Sequence, residues 1–93
     1  MRIPEFTSQF KRDYKREKKG RHQKTLDSDL NAVLTALLAD HPLELRHRDH
    51  ALYNNWAGSR DCHIKPDLVL IYQKPDDTRL VLLRLGSHSE LKL

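Results

Sequence analysis

Residues 26–38 read Leu26-Asp27-Ser28-Asp29-Leu30-Asn31-Ala32-Val33-Leu34-Thr35-Ala36-Leu37-Leu38, and their spacing decides the fold. Leucine or valine recurs at 26, 30, 33, 34, 37 and 38, which gathers the large apolar side chains into one wide helical stripe. Asp27 or Ser28 is expected to open this helix, which should close near Asp40, just before His41-Pro42. Leu30, Val33, Leu34, Leu37 and Leu38 are therefore assigned to the core. Upstream, Phe6, Phe10 and Tyr14 stand four apart and mark one face of a second helix, from about Ser8 to Lys19. Thr7 or Ser8 can cap its start, and Gly20 is a natural stop. A short basic loop should join the two helices antiparallel. Arg2 to Thr7 alternates weakly, as a short strand would.

Downstream of the decisive helix the pattern changes. Residues 41–58 contain Pro42, Asn54, Asn55 and Gly58, show no periodicity, and read as a long loop. Arg60 to Ile64 alternates, with Cys62 and Ile64 on one face and Asp61 and His63 on the other. Lys65-Pro66 makes a turn, Asp67 to Gln73 is rich in strand formers, and residues 74–78 read as a hairpin loop. Arg79 to Leu85 is the next strand, Gly86 breaks it, and a short tail carries His88. Tyr72 is expected in the core. The order β-α-α-β-β-β predicts an α+β domain, a twisted antiparallel sheet with two helices on one face.

Ninety-three residues suffice for one core, so residues 1–93 are expected to form a single domain. The longest apolar run, Leu68 to Tyr72, is far short of the ~20 residues that cross a bilayer. No charged, then apolar, leader pattern opens the chain. The single cysteine, Cys62, cannot form an internal disulfide. A cytoplasmic protein is the expectation from these features.

Charge supplies the first functional clue. Lysine and arginine number 17 against 13 acidic residues, and the excess is concentrated. Residues 1–24 carry nine basic and three acidic side chains, so that segment holds +6 and the remainder −2. A basic segment of this density attracts polyanions, and Lys15, Lys18 and Lys19 are candidate phosphate contacts.

Histidine is the second clue, with six in the chain and five of them from His41 to His88. Imidazole titrates near neutrality and is the usual general acid or base. His47 and His50 are spaced as a possible metal pair, but a second pair is missing, and Cys62 and His63 point to opposite strand faces. No metal or other cofactor is expected. Cys62 reads as a small core residue rather than a nucleophile. There remain His50, His63 and His88 with Asp67, flanked by Arg60 and Arg84. Asp67 lies across a turn from His63 and could orient it. Alternation places Arg60 opposite His63. Such a set suits metal-independent RNA cleavage, which needs a base for the 2′-hydroxyl, an acid for the 5′-oxygen and cations for the phosphorane.

The strings Arg48-Asp49-His50-Ala51-Leu52, Trp56, Arg60-Asp61-Cys62-His63-Ile64-Lys65-Pro66-Asp67 and Leu83-Arg84-Leu85-Gly86-Ser87-His88-Ser89-Glu90-Leu91 resemble the YafQ branch of the RelE-like toxins. The resemblance is close over roughly residues 40–91 and architectural over residues 1–39. It implies the RelE-like fold and the toxin half of a type II toxin–antitoxin pair. It also implies a ribosome-dependent messenger RNA endonuclease whose activity rests on the positions of His50, His63, Asp67 and His88. An aromatic residue usually stands where this chain has Lys92, which offers charge instead of stacking. The expected partners are a cognate acidic antitoxin and messenger RNA on the ribosome, with no membrane. His22, His41 and His47 are left as surface residues. Two other readings stay open from sequence: a gyrase poison of the ParE kind on the same fold, and a non-catalytic RNA-binding module.

Overall fold

The computed structural model describes all 93 residues. Strand β1 (Ile3–Phe6) leads into helix α1 (Ser8–Lys18), and helix α2 (Leu26–Leu38) follows. Then come β2 (His50–Ala51), β3 (Arg60–Lys65), β4 (Leu68–Gln73), β5 (Arg79–Gly86) and a short helix α3 (His88–Leu91). Single 3-10 turns at Leu45–His47 and Asn54–Trp56 flank β2.

The predicted α+β order holds, with one correction, to the expected antiparallel sheet, and two additions. The sheet has five strands in the order β1-β5-β4-β3-β2 and is mixed, because β1 pairs with β5 in parallel. Two antiparallel helices return the chain to its starting direction before β3, and two further reversals bring β5 alongside β1 pointing the same way. The stretch read as a long loop contributes β2, a two-residue edge strand on β3. The tail around His88 is a helical turn closed by a reciprocal cap between Ser87 and Glu90.

Leu26, Leu30, Val33 and Leu37 of α2 are buried, while Leu34 and Leu38 pack at the margin of the core. They meet Phe10 from α1 and Cys62, Leu70, Tyr72, Leu80 and Leu82 from the sheet. Thr7 caps α1 by accepting from the Phe10 N–H at 3.0 Å. Helix α2 starts at Leu26, one residue before the expected cap. Thr25 precedes it without a side-chain cap, and Asp27 and Asp29 sit in its first turn, where carboxylates suit the positive helix end.

β4 is buried along Leu68–Tyr72 because the sheet is covered on both faces. On the face away from the long helices, Val69, Ile71 and Leu91 form a second apolar cluster with Leu52, Trp56 and Leu83. That second layer explains why β4 does not alternate. It also supports the site.

Candidate active site

The strand register builds one row across the sheet. Arg84 on β5 pairs with Ile71 on β4, Ile71 with Asp61 on β3, and Asp61 with His50 on β2. The adjacent row brings Gly86, Val69 and His63 into line, with His88 two residues beyond Gly86. These rows place three histidines, an aspartate and an arginine from distant parts of the chain on one face.

A bulge makes this possible. Leu80 and Leu82 are buried against the helices, so strict alternation would send Arg84 into the core as well. The β4–β5 register shifts at Ile71/Tyr72, and Leu83 packs into the second cluster while Arg84 reaches the cleft.

The cleft is open, about 740 Å³, and bordered by His50, Tyr53, Trp56, Asp61, Arg84 and His88, with Lys92 at its rim. The His63 and His88 rings lie 5.0 Å apart, centre to centre, at a tilt of 51°. His50 donates from Nδ1 to the Arg48 carbonyl at 2.7 Å, and His63 Nδ1 faces the Pro66 carbonyl at 3.3 Å. A carbonyl only accepts, so each Nδ1 carries a hydrogen, which leaves Nε2 as the nitrogen of each ring free to exchange a proton. In the neutral form both rings are thereby set up to accept a proton at Nε2.

Asp61 is the group that sequence reasoning missed. It is 1% exposed, and its Oδ1 makes no hydrogen bond. His50 Nδ1 stands 3.1 Å away, but that N–H is directed at the Arg48 carbonyl. Burial pushes the Asp61 carboxyl above the usual range, and the neighbouring charges of His50, His63 and His88 pull it back. Its place on the same face of the alternating strand as His63 was legible; that it would be buried beneath three imidazoles was not.

Asp67 does not touch His63. Its carboxylate binds Arg21 and, at 3.0 Å, His22 Nε2, so it ties the α1–α2 connection to the β3–β4 turn. Its bearing on His63 runs through that turn, whose Pro66 carbonyl meets the ring. Arg60 lies off the cleft, as alternation required, paired with Asp49 at 3.2 Å. Lys15 lies in a separate groove between α1 and α2, Lys18 pairs with Asp27, and Lys19 ends α1. None of these three lysines borders the cleft. His47, expected at the surface, is buried and donates from Nδ1 to the His63 carbonyl at 2.6 Å, bracing the active strand. His22 is half-buried against Asp67 rather than free. Burial pushes the Cys62 thiol far up, as suits a core residue.

Arg84 is itself held. Asp13 of α1, 4% exposed, takes Arg84 Nε at 2.7 Å and Nη2 at 3.2 Å, and also accepts the Leu85 N–H at 3.0 Å. Burial alone would raise the Asp13 carboxyl; the Arg84 and Leu85 hydrogen bonds and the Arg84 and Arg16 charges overcome it and hold it below the usual range.

A mixed five-stranded sheet with this helical cover is the arrangement of RelE-like toxins, and solved structures bear out the likeness. The copper-bound mutant toxin from Helicobacter pylori superposes with a TM-score of 0.84 at 40% identity, covering 98% of this chain and 99% of that one. YafQ in the Escherichia coli DinJ–YafQ complex superposes with a TM-score of 0.79 at 32% identity, covering 98% of each chain. The mRNA interferase toxin YafQ of Escherichia coli (strain B / BL21-DE3) is 38% identical over 88 residues, 94% of this chain and 91% of that protein. The family described as the bacterial toxin of type II toxin–antitoxin system, YafQ, matches residues 2–93. The chain belongs to the YafQ family of type II toxins.

Proposed function

We propose that this toxin is a messenger RNA interferase, cutting RNA on the ribosome by acid–base chemistry in the histidine cleft. The observation that carries the reading is the convergence of His50, His63 and His88 around the buried Asp61, with Arg84 on the same cleft. Nε2 of His50 or His63 takes the 2′-hydroxyl proton. The 2′-oxygen attacks the adjacent phosphorus, giving a 2′,3′-cyclic phosphate, and the P–O5′ bond breaks. His88 protonates the departing 5′-oxygen. Arg84 and Lys92 face the phosphorane charge. Asp67 fixes the turn that orients His63. Arg60, Lys15, Lys18 and Lys19 belong to the wider basic surface that meets ribosomal RNA. The reading takes further support from the relatives named mRNA interferase toxins.

The cognate partner is an acidic antitoxin, as DinJ is the partner in the Escherichia coli complex. The groove of about 490 Å³ between α1 and α2, with Phe6, Phe10, Tyr14 and Leu34 beside Lys11 and Lys15, suits an amphipathic acidic segment.

The test is induction of the wild-type chain beside His63→Ala and His88→Ala, with primer extension on a reporter messenger RNA. Growth arrest with new cleavage ends, both lost in the variants, is the expected result. Arrest that survives both substitutions with intact messenger RNA overturns the catalytic reading.

A further inference from the structure

The cleft has an aromatic wall that the acid–base chemistry does not use. Leu52, Tyr53 and Trp56 lie between β2 and β3 and border the same cleft as His50, His88 and Arg84. Leu52 and Trp56 are tied down, packing against the Val69–Ile71–Leu91 cluster. Tyr53 between them is 78% exposed.

That exposure is built, not loose. The Leu52 N–H donates to the Ser59 carbonyl at 2.9 Å and closes the loop at its base. Within it, Trp56 N–H donates to the Tyr53 carbonyl at 3.2 Å and Ser59 N–H to the Trp56 carbonyl at 2.9 Å. Ser59 is buried and accepts from Gln73 Nε2 at 2.9 Å. Asn54, immediately after Tyr53, holds a left-handed backbone at φ 58°, a conformation asparagine tolerates better than most residues. The anchored Trp56 and the turned Asn54 leave Tyr53 exposed at the border of the cleft. An aromatic face beside arginine and imidazole is the pairing by which single-stranded nucleic acid is held: the cations take the phosphate and the ring takes a base.

We propose that Tyr53 is a nucleobase-stacking platform, holding a base next to the phosphate that the histidines address. This rests on the reading of the cleft as an RNA site. It assigns Tyr53 to substrate binding and makes it a determinant of which nucleotide is accepted, since purines stack more strongly than pyrimidines.

The experiment compares Tyr53→Phe, Tyr53→Leu and Tyr53→Ala with His88→Ala in two assays. One follows cleavage of a reporter messenger RNA in a reconstituted translation system. The other follows binding of a 5′-labelled single-stranded RNA hexanucleotide by fluorescence anisotropy. The expected result is that Tyr53→Phe keeps cleavage and affinity. Tyr53→Ala and Tyr53→Leu should weaken binding and cleavage by about 5- to 150-fold, the worth of one stacked base. His88→Ala should abolish cleavage and still bind RNA. Because Tyr53 is largely exposed, its truncation leaves the core untouched, and unchanged thermal melting checks this. Wild-type binding by Tyr53→Ala overturns the proposal, as does equal loss in Tyr53→Phe, which would assign the effect to the hydroxyl. So does loss of antitoxin affinity without loss of RNA affinity, which would assign the ring to a protein partner. Failure of the nuclease reading looks different: His88→Ala would cleave like wild type, or nothing would be cut, while RNA binding still depended on Tyr53.

Discussion

Asp13 and Arg84, 71 positions apart, are joined at two points, Nε to Oδ2 at 2.7 Å and Nη2 to Oδ1 at 3.2 Å. The pair connects helix α1 to the floor of the cleft. Two of the guanidinium nitrogens face Asp13, so the carboxylate fixes the direction in which the rest of the group meets a ligand.

Asp13→Asn is therefore expected to lower cleavage by roughly ten- to a hundredfold, the scale of a displaced catalytic contact. The stability loss should be on the order of 2 kcal/mol, below the ~3–5 of a fully buried broken pair, because Arg84 and Arg16 are partly exposed. The check is a double-mutant cycle. In an Arg84→Ala background, Asp13→Asn should add little further loss of cleavage, whereas a purely structural role would add its full effect.

Asp61→Asn should separate stability from activity. The buried Oδ1 lacks a hydrogen bond, and burial raises the carboxyl, so its ionised form is disfavoured in the folded state. A group with a raised folded pKa costs stability above that pKa, and the cost vanishes below the unfolded value near 3.8. Melting at neutral pH should thus show Asp61→Asn stabilised, by about 1–3 kcal/mol at most, with the gain shrinking as pH falls towards 4. Cleavage should fall, because the charge beneath the three imidazoles is gone. A variant that is both less stable at neutral pH and fully active contradicts this.

Asp40 predicts an acid limb. Hydrogen bonds from Lys74 and Arg2 bring its carboxyl down to about 2. The stabilisation is present above the ordinary value of 3.8 and is lost as pH falls through about 2. Comparing melting temperatures of wild type and Asp40→Asn from pH 6 to 2 should show a difference that closes in the last two units. A constant difference would exclude this staple between β1, the end of α2 and β4.

Leu30→Ala tests the stripe that decided the fold. Leu30 is 5% exposed in the α2 face of the core. Its truncation should cost about 2–5 kcal/mol in denaturant unfolding. Leu45→Ala, at a residue 96% exposed, should change stability by less than about 0.5 kcal/mol.

Local periodicity made most of the architecture legible. The α2 stripe, the aromatic spacing of α1 and the alternation of Arg60–Ile64 each report which face of an element is apolar. Leu26, Leu30, Val33, Leu37, Phe10, Cys62 and Ile64 are buried as read, whereas Phe6 ends β1 exposed and Asp61 is buried on the face away from the helices. The hairpin at residues 74–78 and the β4 and β5 segments followed from turn residues and strand formers. The two-residue strand β2 escaped because only its pairing with β3 defines it. The turn of α3 escaped because four residues carry no helical period.

The sequence by itself determined the α+β class, the helix-packed core and, through its ordered motifs, the toxin family. Those properties depend on side-chain spacing and residue identity, which the chain carries locally. Tertiary structure alone decided which carboxylate sits under the histidines and which way Arg84 points. Asp67 is close to His63 in sequence but is held by Arg21 and His22, while Asp61 is brought beside His50 by strand register. Arg84 turns out of the core only because β5 bulges. Register, bulges and long-range ion pairs arise when separate segments settle against one another, and no local pattern records them.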